Sequence, residues 1–212
     1  TEPARALAVF MGIEIDKQYH HADPAEQEMS AGLMALLTPI AKAFFTDKGY
    51  EACNHGLQIL GGHWFIREWG LEQLVRDTKI AQIYEGTNGI QAQDLLVRKV
   101  CLDKSGLLEN LFQLIEKELN LSTSSIEATN LNSALKLELL AFKETSLWLK
   151  ESFNERAYEL QGCAVDYLHA AGHIIFGWMW LKMLNSLKES TAPTFTGRKK
   201  LAANYFTTQI LP

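Results

Sequence analysis

One carboxylate in this 212-residue chain stands in a setting that suits chemistry: Glu85, in the run Gln82-Ile83-Tyr84-Glu85-Gly86-Thr87-Asn88-Gly89-Ile90-Gln91. Its neighbours are apolar or uncharged, and Gly86 beside it lets backbone approach a bound molecule where a side chain would obstruct. A carboxylate in an apolar pocket is poorly solvated, so its affinity for a proton rises and it becomes a candidate general base. The bland alternative is a solvated loop acid favoured by the positive end of the helix that follows. A lone Glu-Gly-Thr would carry no more than that.

Two upstream segments change the weight of the motif: Gln58-Ile59-Leu60-Gly61-Gly62 and Leu74-Val75-Arg76-Asp77. In order and separation the three segments resemble the carboxy-terminal domain of the acyl-CoA dehydrogenase flavoproteins over the first half of the chain. The second half resembles the extra helical region of large family members. The resemblance implies an all-α fold: the later helices of the family's C-terminal four-helix bundle over residues 1–104, then an appended helical bundle over 105–212. It also implies FAD as cofactor, an acyl-CoA thioester as substrate, and electron-transfer flavoprotein or a similar acceptor as partner. Glu85 would remove the α proton while a hydride leaves the β carbon for the flavin. With a flavin ribityl hydroxyl, the Glu85 backbone N–H would hold the thioester carbonyl, Gly86 lying against the substrate. Thr87 matches a residue that hydrogen-bonds the flavin nucleotide. Gln58, Gly61 and Gly62 match positions that reach the cofactor's diphosphate and adenosine side from a neighbouring subunit, which implies at least a dimer.

Two departures from the family pattern stand out. Trp64 and Phe65 follow His63 where a glycine and then an aromatic residue are usual, and Gly89 falls where shorter relatives carry a polar nucleotide contact. The Asn88-Gly89 spelling resembles the extended members. The same resemblance implies that flavin-binding domains precede Thr1, so that the opening Thr1-Glu2-Pro3, which lacks a methionine, reads as a fragment or cleaved product. Two rival functions remain open: an acyl-CoA oxidase using the same base, and a non-catalytic helical oligomerisation or docking module built on the aromatic run Phe176 to Trp180.

The elements that must position these residues are helical. Ala4, Leu7, Ala8, Met11 and Ile15 recur at helical spacing behind Pro3, which predicts a helix to about His20. Asp23 is a candidate cap for a second helix over Pro24 to Asp47, kinked at Pro39 and stopped by Lys48-Gly49-Tyr50. Glu51 to Leu60 then predicts a third helix ended by Gly61-Gly62. His63 to Gly70 predicts a loop, Leu71 to Ile80 a short helix, and Ile90 to about Lys104 another, with Gly106 as hinge. Beyond it the pattern predicts helices over Leu107–Asn120, Glu127–Ser152, Glu155–Lys188 and Arg198–Gln209. The polar stretches Leu121–Ser125 and Lys188–Gly197 read as connections.

Apolar residues make up 47% and charged residues 21%, with a net charge of -5, which argues against a surface built for nucleic acid. Cys53, Cys101 and Cys163 form no CxxC pair, which suggests neither a disulfide framework nor a zinc site and points to a reducing, cytoplasmic setting. His169 and His173 share a helix face but lack an HExxH pattern, so they read as packed histidines, and no metal is expected. The uncharged interval between Asp166 and Lys182 falls short of the ~18–20 residues a membrane span needs, so it predicts a buried central helix. Arg76-Asp77 reads as an ion pair or cap, and Arg198-Lys199-Lys200 as a solvated cationic turn.

Overall fold

The structure is a computed structural model that describes residues 1–123, 125–187 and 192–211. Among the described residues there are eight α-helices and no strand: α1 (Glu2–His20), α2 (Pro24–Leu60), α3 (Leu71–Ala81), α4 (Asn88–Gln93), α5 (Leu107–Leu119), α6 (Ile126–Leu160), α7 (Ala164–Asn185) and α8 (Pro193–Gln209). The all-α class expected from the sequence is correct.

α2 begins as its sequence dictates: the Asp23 carboxylate accepts from the Ala25 N–H at 3.0 Å, and Pro24 occupies the first turn. It does not stop at Lys48-Gly49-Tyr50. It runs unbroken for 37 residues to Leu60, with Gly49 inside. An interior glycine costs about 1 kcal/mol, and packing of α2 against α1, α3, α4 and α7 outweighs that cost. Pro39 is carried within the helix at a buried position between Leu37 and Ile40, although its ring removes the bond to Ala35.

Past Gly61 (φ 73°) the predicted loop winds into two short 3-10 turns, Gly62–Phe65 and Arg67–Trp69, which bring the rings of Trp64 and Trp69 within 5.5 Å. α4 passes into a π-helical stretch, Asp94–Cys101, rather than the α-helix to Lys104 that the sequence suggested. The winding follows from the buried set: Leu95 with Val100 and Leu96 with Cys101 are five apart, the spacing that i→i+5 bonds stack on one face. The Leu102 N–H donates to Val97 O at 2.9 Å in that manner.

The boundary expected between Ser152 and Glu155 is displaced. α6 carries its buried face on through Phe153 to Leu160, bends where Arg156 leaves helical geometry (φ -131°, ψ 27°), and gives way to a 3-10 turn at Gln161–Cys163. α8 starts at Pro193, so Thr194 to Gly197, expected as loop, form its first turns. The rest of that predicted loop from Lys188 to Thr191, like Ser124 in the earlier connection and Pro212, lies outside the described residues.

α7 is the central helix, as expected, packed against α1, α2, α4, α5, α6 and α8. Phe176, Trp178 and Trp180 are interior, so the aromatic run that motivated a docking module is core. One apolar core extends from Leu7 to Leu211 through both halves of the chain. Cys53, Cys101 and Cys163 are free thiols, and burial, with Cys163 nearby, pushes Cys101 up to about 11. α2 alone among the described helices is long and apolar enough to cross a membrane by length and composition, and half of its apolar window is buried in this fold.

Candidate active site

The segment between α3 and α4 doubles back on itself at two consecutive left-handed residues, Glu85 (φ 53°) and Gly86 (φ 84°). Glycine adopts that region freely. For glutamate it costs about 1–2 kcal/mol, and Glu85 is the only non-glycine among the described residues held there. The loop closes through Asn88 N–H to Gln82 O at 3.1 Å. The Gln91 side chain donates to Glu85 O at 3.2 Å. Lys42 of α2 reaches across to Gly86 O at 2.7 Å and Asn88 Oδ1 at 2.8 Å.

The backbone of Glu85 is thus pinned while its carboxylate is exposed and has no partner among the described residues. The apolar enclosure expected from its neighbours is missing: Ile83 and Tyr84 are about half exposed and Ile90 more so, forming an open apolar rim around the acid. Thr87, the second motif residue, spends its hydroxyl on capping α4, accepting from Ile90 N–H at 3.4 Å. Gly89 lies in the first turn of that helix.

Gln58, Gly61 and Gly62 are not brought to Glu85. Gly86 sits beside Lys42, and Gln58 lies sixteen residues further along α2, about 24 Å at 1.5 Å per residue. At that far end the side chain of Gln58 is exposed, and a Cβ built on Gly61 or Gly62 meets nothing within 4 Å. The N–H groups of Gly62 and His63 have no hydrogen-bond partner among the described residues. Ile59, Phe65 and Ile66 present apolar surface beside this turn.

Other sequence candidates resolve into structural roles. Asp77 accepts from Gln73 one turn earlier at 2.7 Å, and no Arg76–Asp77 pair forms among the described residues. Lys199 pairs with Glu2 and Lys200 with Glu127, so that turn is tied down rather than a loose cationic patch. His169 and His173 are packed as expected, their rings set edge-on to Phe44 at 5.5 and 5.0 Å. His169 also holds Asp47 at 2.9 Å.

Sequence reasoning missed the residues that hold the loop: Lys42, Asp47 and His169. Asp47 accepts from Gln82 Nε2 and Asn88 Nδ2, both at 2.6 Å. No local motif marks these residues, because 41 positions separate Asp47 from Asn88 and 122 separate it from His169.

Residues 8–99 match the family model described as acyl-CoA dehydrogenase, C-terminal domain, and residues 110–212 match the model described as acetyl-CoA dehydrogenase C-terminal like. Among curated proteins the chain is 33% identical to a 3-methylmercaptopropionyl-CoA dehydrogenase of Ruegeria pomeroyi over 84% of this chain and 30% of the relative. It is 30% identical to a butyryl-CoA dehydrogenase of Syntrophomonas wolfei over 100% of this chain and 36% of the relative. The chain therefore spans about a third of the length of these relatives. Among solved structures, Caenorhabditis elegans ACDH-11, crystallised with C11-CoA, superposes with a TM-score of 0.82 at 17% identity, covering 98% of this chain and 33% of that one. That likeness concerns the fold, while the two family models account between them for nearly the whole sequence and for the motifs around Gln58 and Glu85. The chain belongs to the acyl-CoA dehydrogenase family.

Proposed function

We propose that this chain carries the proton-accepting end of an FAD-dependent acyl-CoA dehydrogenase, with Glu85 as the base that removes the α proton of an acyl-CoA thioester. The observation that carries this reading is the geometry of residue 85. A strained left-handed glutamate persists only where its surroundings over-determine it, and such strain concentrates at functional sites. Here the backbone is held from both sides while the carboxylate is left without a partner. The relatives' names support the substrate class, since each is a dehydrogenase of an acyl-CoA.

The residues present suit FAD. The turn that follows Gly61 offers the N–H groups of Gly62 and His63, unpartnered among the described residues, beyond the exposed Gln58 side chain, donors of the kind a diphosphate requires, on a surface where a Cβ at Gly61 or Gly62 would meet nothing within 4 Å. When bound, the flavin supplies the acceptor for the hydride from the β carbon. Glu85 would supply the site for the proton, and its backbone N–H would steady the thioester carbonyl. Thr87, whose hydroxyl accepts from Ile90 N–H, would use its remaining O–H donor toward the flavin nucleotide. The apolar rim of Ile83, Tyr84 and Ile90 is covered by other polypeptide in the working enzyme, and that cover excludes water from Glu85.

The separation of about 24 Å along α2 between Lys42, beside Gly86, and Gln58 suits a cofactor shared between copies, Glu85 serving one and Gln58 with Gly61 and Gly62 reaching that of a neighbour, so the active unit is at least a dimer. Residues 1–104 form the catalytic helical part and 105–212 the appended one. Electron-transfer flavoprotein or a similar acceptor reoxidises the enzyme.

The test is anaerobic flavin bleaching by a panel of acyl-CoAs, in the FAD-loaded protein that contains this chain, comparing native with Glu85→Gln. Bleaching should be lost in the variant while FAD and acyl-CoA still bind. Equal bleaching rates in both would overturn the assignment.

A further inference from the structure

The Glu85 loop is tied to the second half of the chain through one carboxylate, Asp47. Its Oδ1 accepts from Gln82 Nε2 and from Asn88 Nδ2, each at 2.6 Å. These two residues are the first and last of the loop, joined to each other by the Asn88 N–H to Gln82 O bond at 3.1 Å. The other oxygen, Oδ2, accepts from His169 Nε2 of α7 at 2.9 Å. A carboxylate can only accept, so both amides must turn their NH2 groups toward it. Their carbonyls then face cations: Gln82 Oε1 accepts from Lys79 at 2.9 Å, and Asn88 Oδ1 from Lys42 at 2.8 Å. Lys42 in turn holds Gly86 O, the residue next to Glu85. Asn88 Nδ2 also donates to Thr46 Oγ1 at 2.9 Å and to Ala43 O at 3.2 Å, so the orientation of both amides is set by their partners.

We propose that Asp47, oriented by His169, is a positioning residue for Glu85, so that α7 takes part in the dehydrogenation by fixing where the proton-accepting carboxylate stands. The inference rests on the reading of Glu85 as the base. Three features support it. Glu85 is strained, and a strained turn relaxes unless its ends are held; Asp47 holds both ends at once. His169 is the only bond from the described residues to Oδ2, so without it the carboxylate can rotate about its own side chain and release one amide. His169 is itself fixed, its ring edge-on to Phe44, which is clamped against the bare backbone of Gly172. The path from α7 to the loop is therefore a run of close contacts. Asp47 and His169 are only partly covered, 23% and 29% exposed at the side chain, so their pairing is not demanded by burial.

The test uses the FAD-loaded protein that contains this chain, in three variants: His169→Leu, which keeps bulk but removes the donor; His169→Gln, which restores an N–H donor; and Glu85→Gln as reference. Two readouts are taken, the anaerobic bleaching rate as a function of acyl-CoA concentration and the amide hydrogen exchange of residues 82–90 without ligand. For His169→Leu the limiting rate should fall about 10- to 100-fold, as misplacing a reacting group by about 1 Å does. KM should change much less, the pattern expected when alignment rather than binding is lost. Exchange should quicken in residues 82–90 and not in α5 or α6, and His169→Gln should recover both readouts. Native rate and native loop exchange in His169→Leu, beside lost bleaching in Glu85→Gln, would overturn the proposal and leave Glu85 as the base. Quickened exchange throughout the chain in His169→Leu would mark a merely structural contact and also overturn it. Bleaching retained by Glu85→Gln would remove the base reading and the proposal together.

Discussion

Glu85 occupies a conformation that costs stability, and that fact lets its contribution to folding be separated from the chemical role proposed for it. Replacing it with glycine relieves about 1–2 kcal/mol of left-handed strain and gives back about 0.5–1 kcal/mol in chain entropy. Glu85→Gly should therefore melt no lower than the native chain while losing flavin bleaching altogether. A clear drop in melting temperature would show that the glutamate side chain contributes to the fold. His173 makes the opposite kind of prediction. Burial, then the charges of Lys48 and His169, push it down from 6.5 to about 4, and its Nε2 has no partner among the described residues. The unfolded chain takes up this proton near pH 6.5, the folded chain only near 4. Stability is thus full above pH 6.5 and declines as pH falls from there toward 4. His173→Phe should flatten that decline, and urea midpoints compared at neutral and mildly acid pH would reveal it.

At the scale of elements, Gly172 sets how closely α7 approaches α2. A Cβ there would stand 2.5–2.7 Å from atoms of the Phe44 ring, too close for any side chain without displacing the ring. Gly172→Ala should cost about 1–3 kcal/mol, the range for overpacking a full core. It should also disturb His169 and His173, both of which lean on the same ring. Calorimetry would give the first effect, and the histidine ring signals in NMR the second. The helices themselves were largely legible in the sequence, because apolar positions recur at helical spacing in α1, α3, α5 and α7, and Asp23 and Pro24 mark where α2 begins. The errors fall where local preference and packing disagree. Gly49 signals a stop, yet α2 runs on through it because its packing against α1, α3, α4 and α7 outweighs the local cost, and Arg156 bends α6 without ending it. The π stretch is visible in retrospect in the five-residue spacing of Leu95 with Val100, a period easily mistaken for an α pattern. At the site, Glu85 and its glycine were readable from the motif, whereas Lys42, Asp47 and His169 were not, since only the folded chain brings them together.

For the whole molecule, the two family-model matches abut between residues 99 and 110, yet the hydrophobic core does not divide there. Leu36, Leu37 and Ile40 of α2 share one cluster with Ile175, Trp178 and Leu181 of α7. Residues 1–104 expressed alone should therefore keep helical far-UV circular dichroism but lose near-UV structure and bind a hydrophobic dye. Native-like near-UV spectra from that piece would show that the first half closes its own core.

The Asp47–His169 bond spans 122 positions, which bears on the order in which the molecule assembles. Contacts this distant in sequence form late, because the intervening chain must first be gathered. During synthesis α2, α3 and the acid-bearing loop emerge well before α7 exists to meet them. Their last tie is made only when the central helix docks. Pulse-labelled exchange during refolding should show the amides of residues 82–88 becoming protected together with α7 rather than with their immediate neighbours in α3. The competence of the loop is then a late event, acquired when the rest of the chain is already in place.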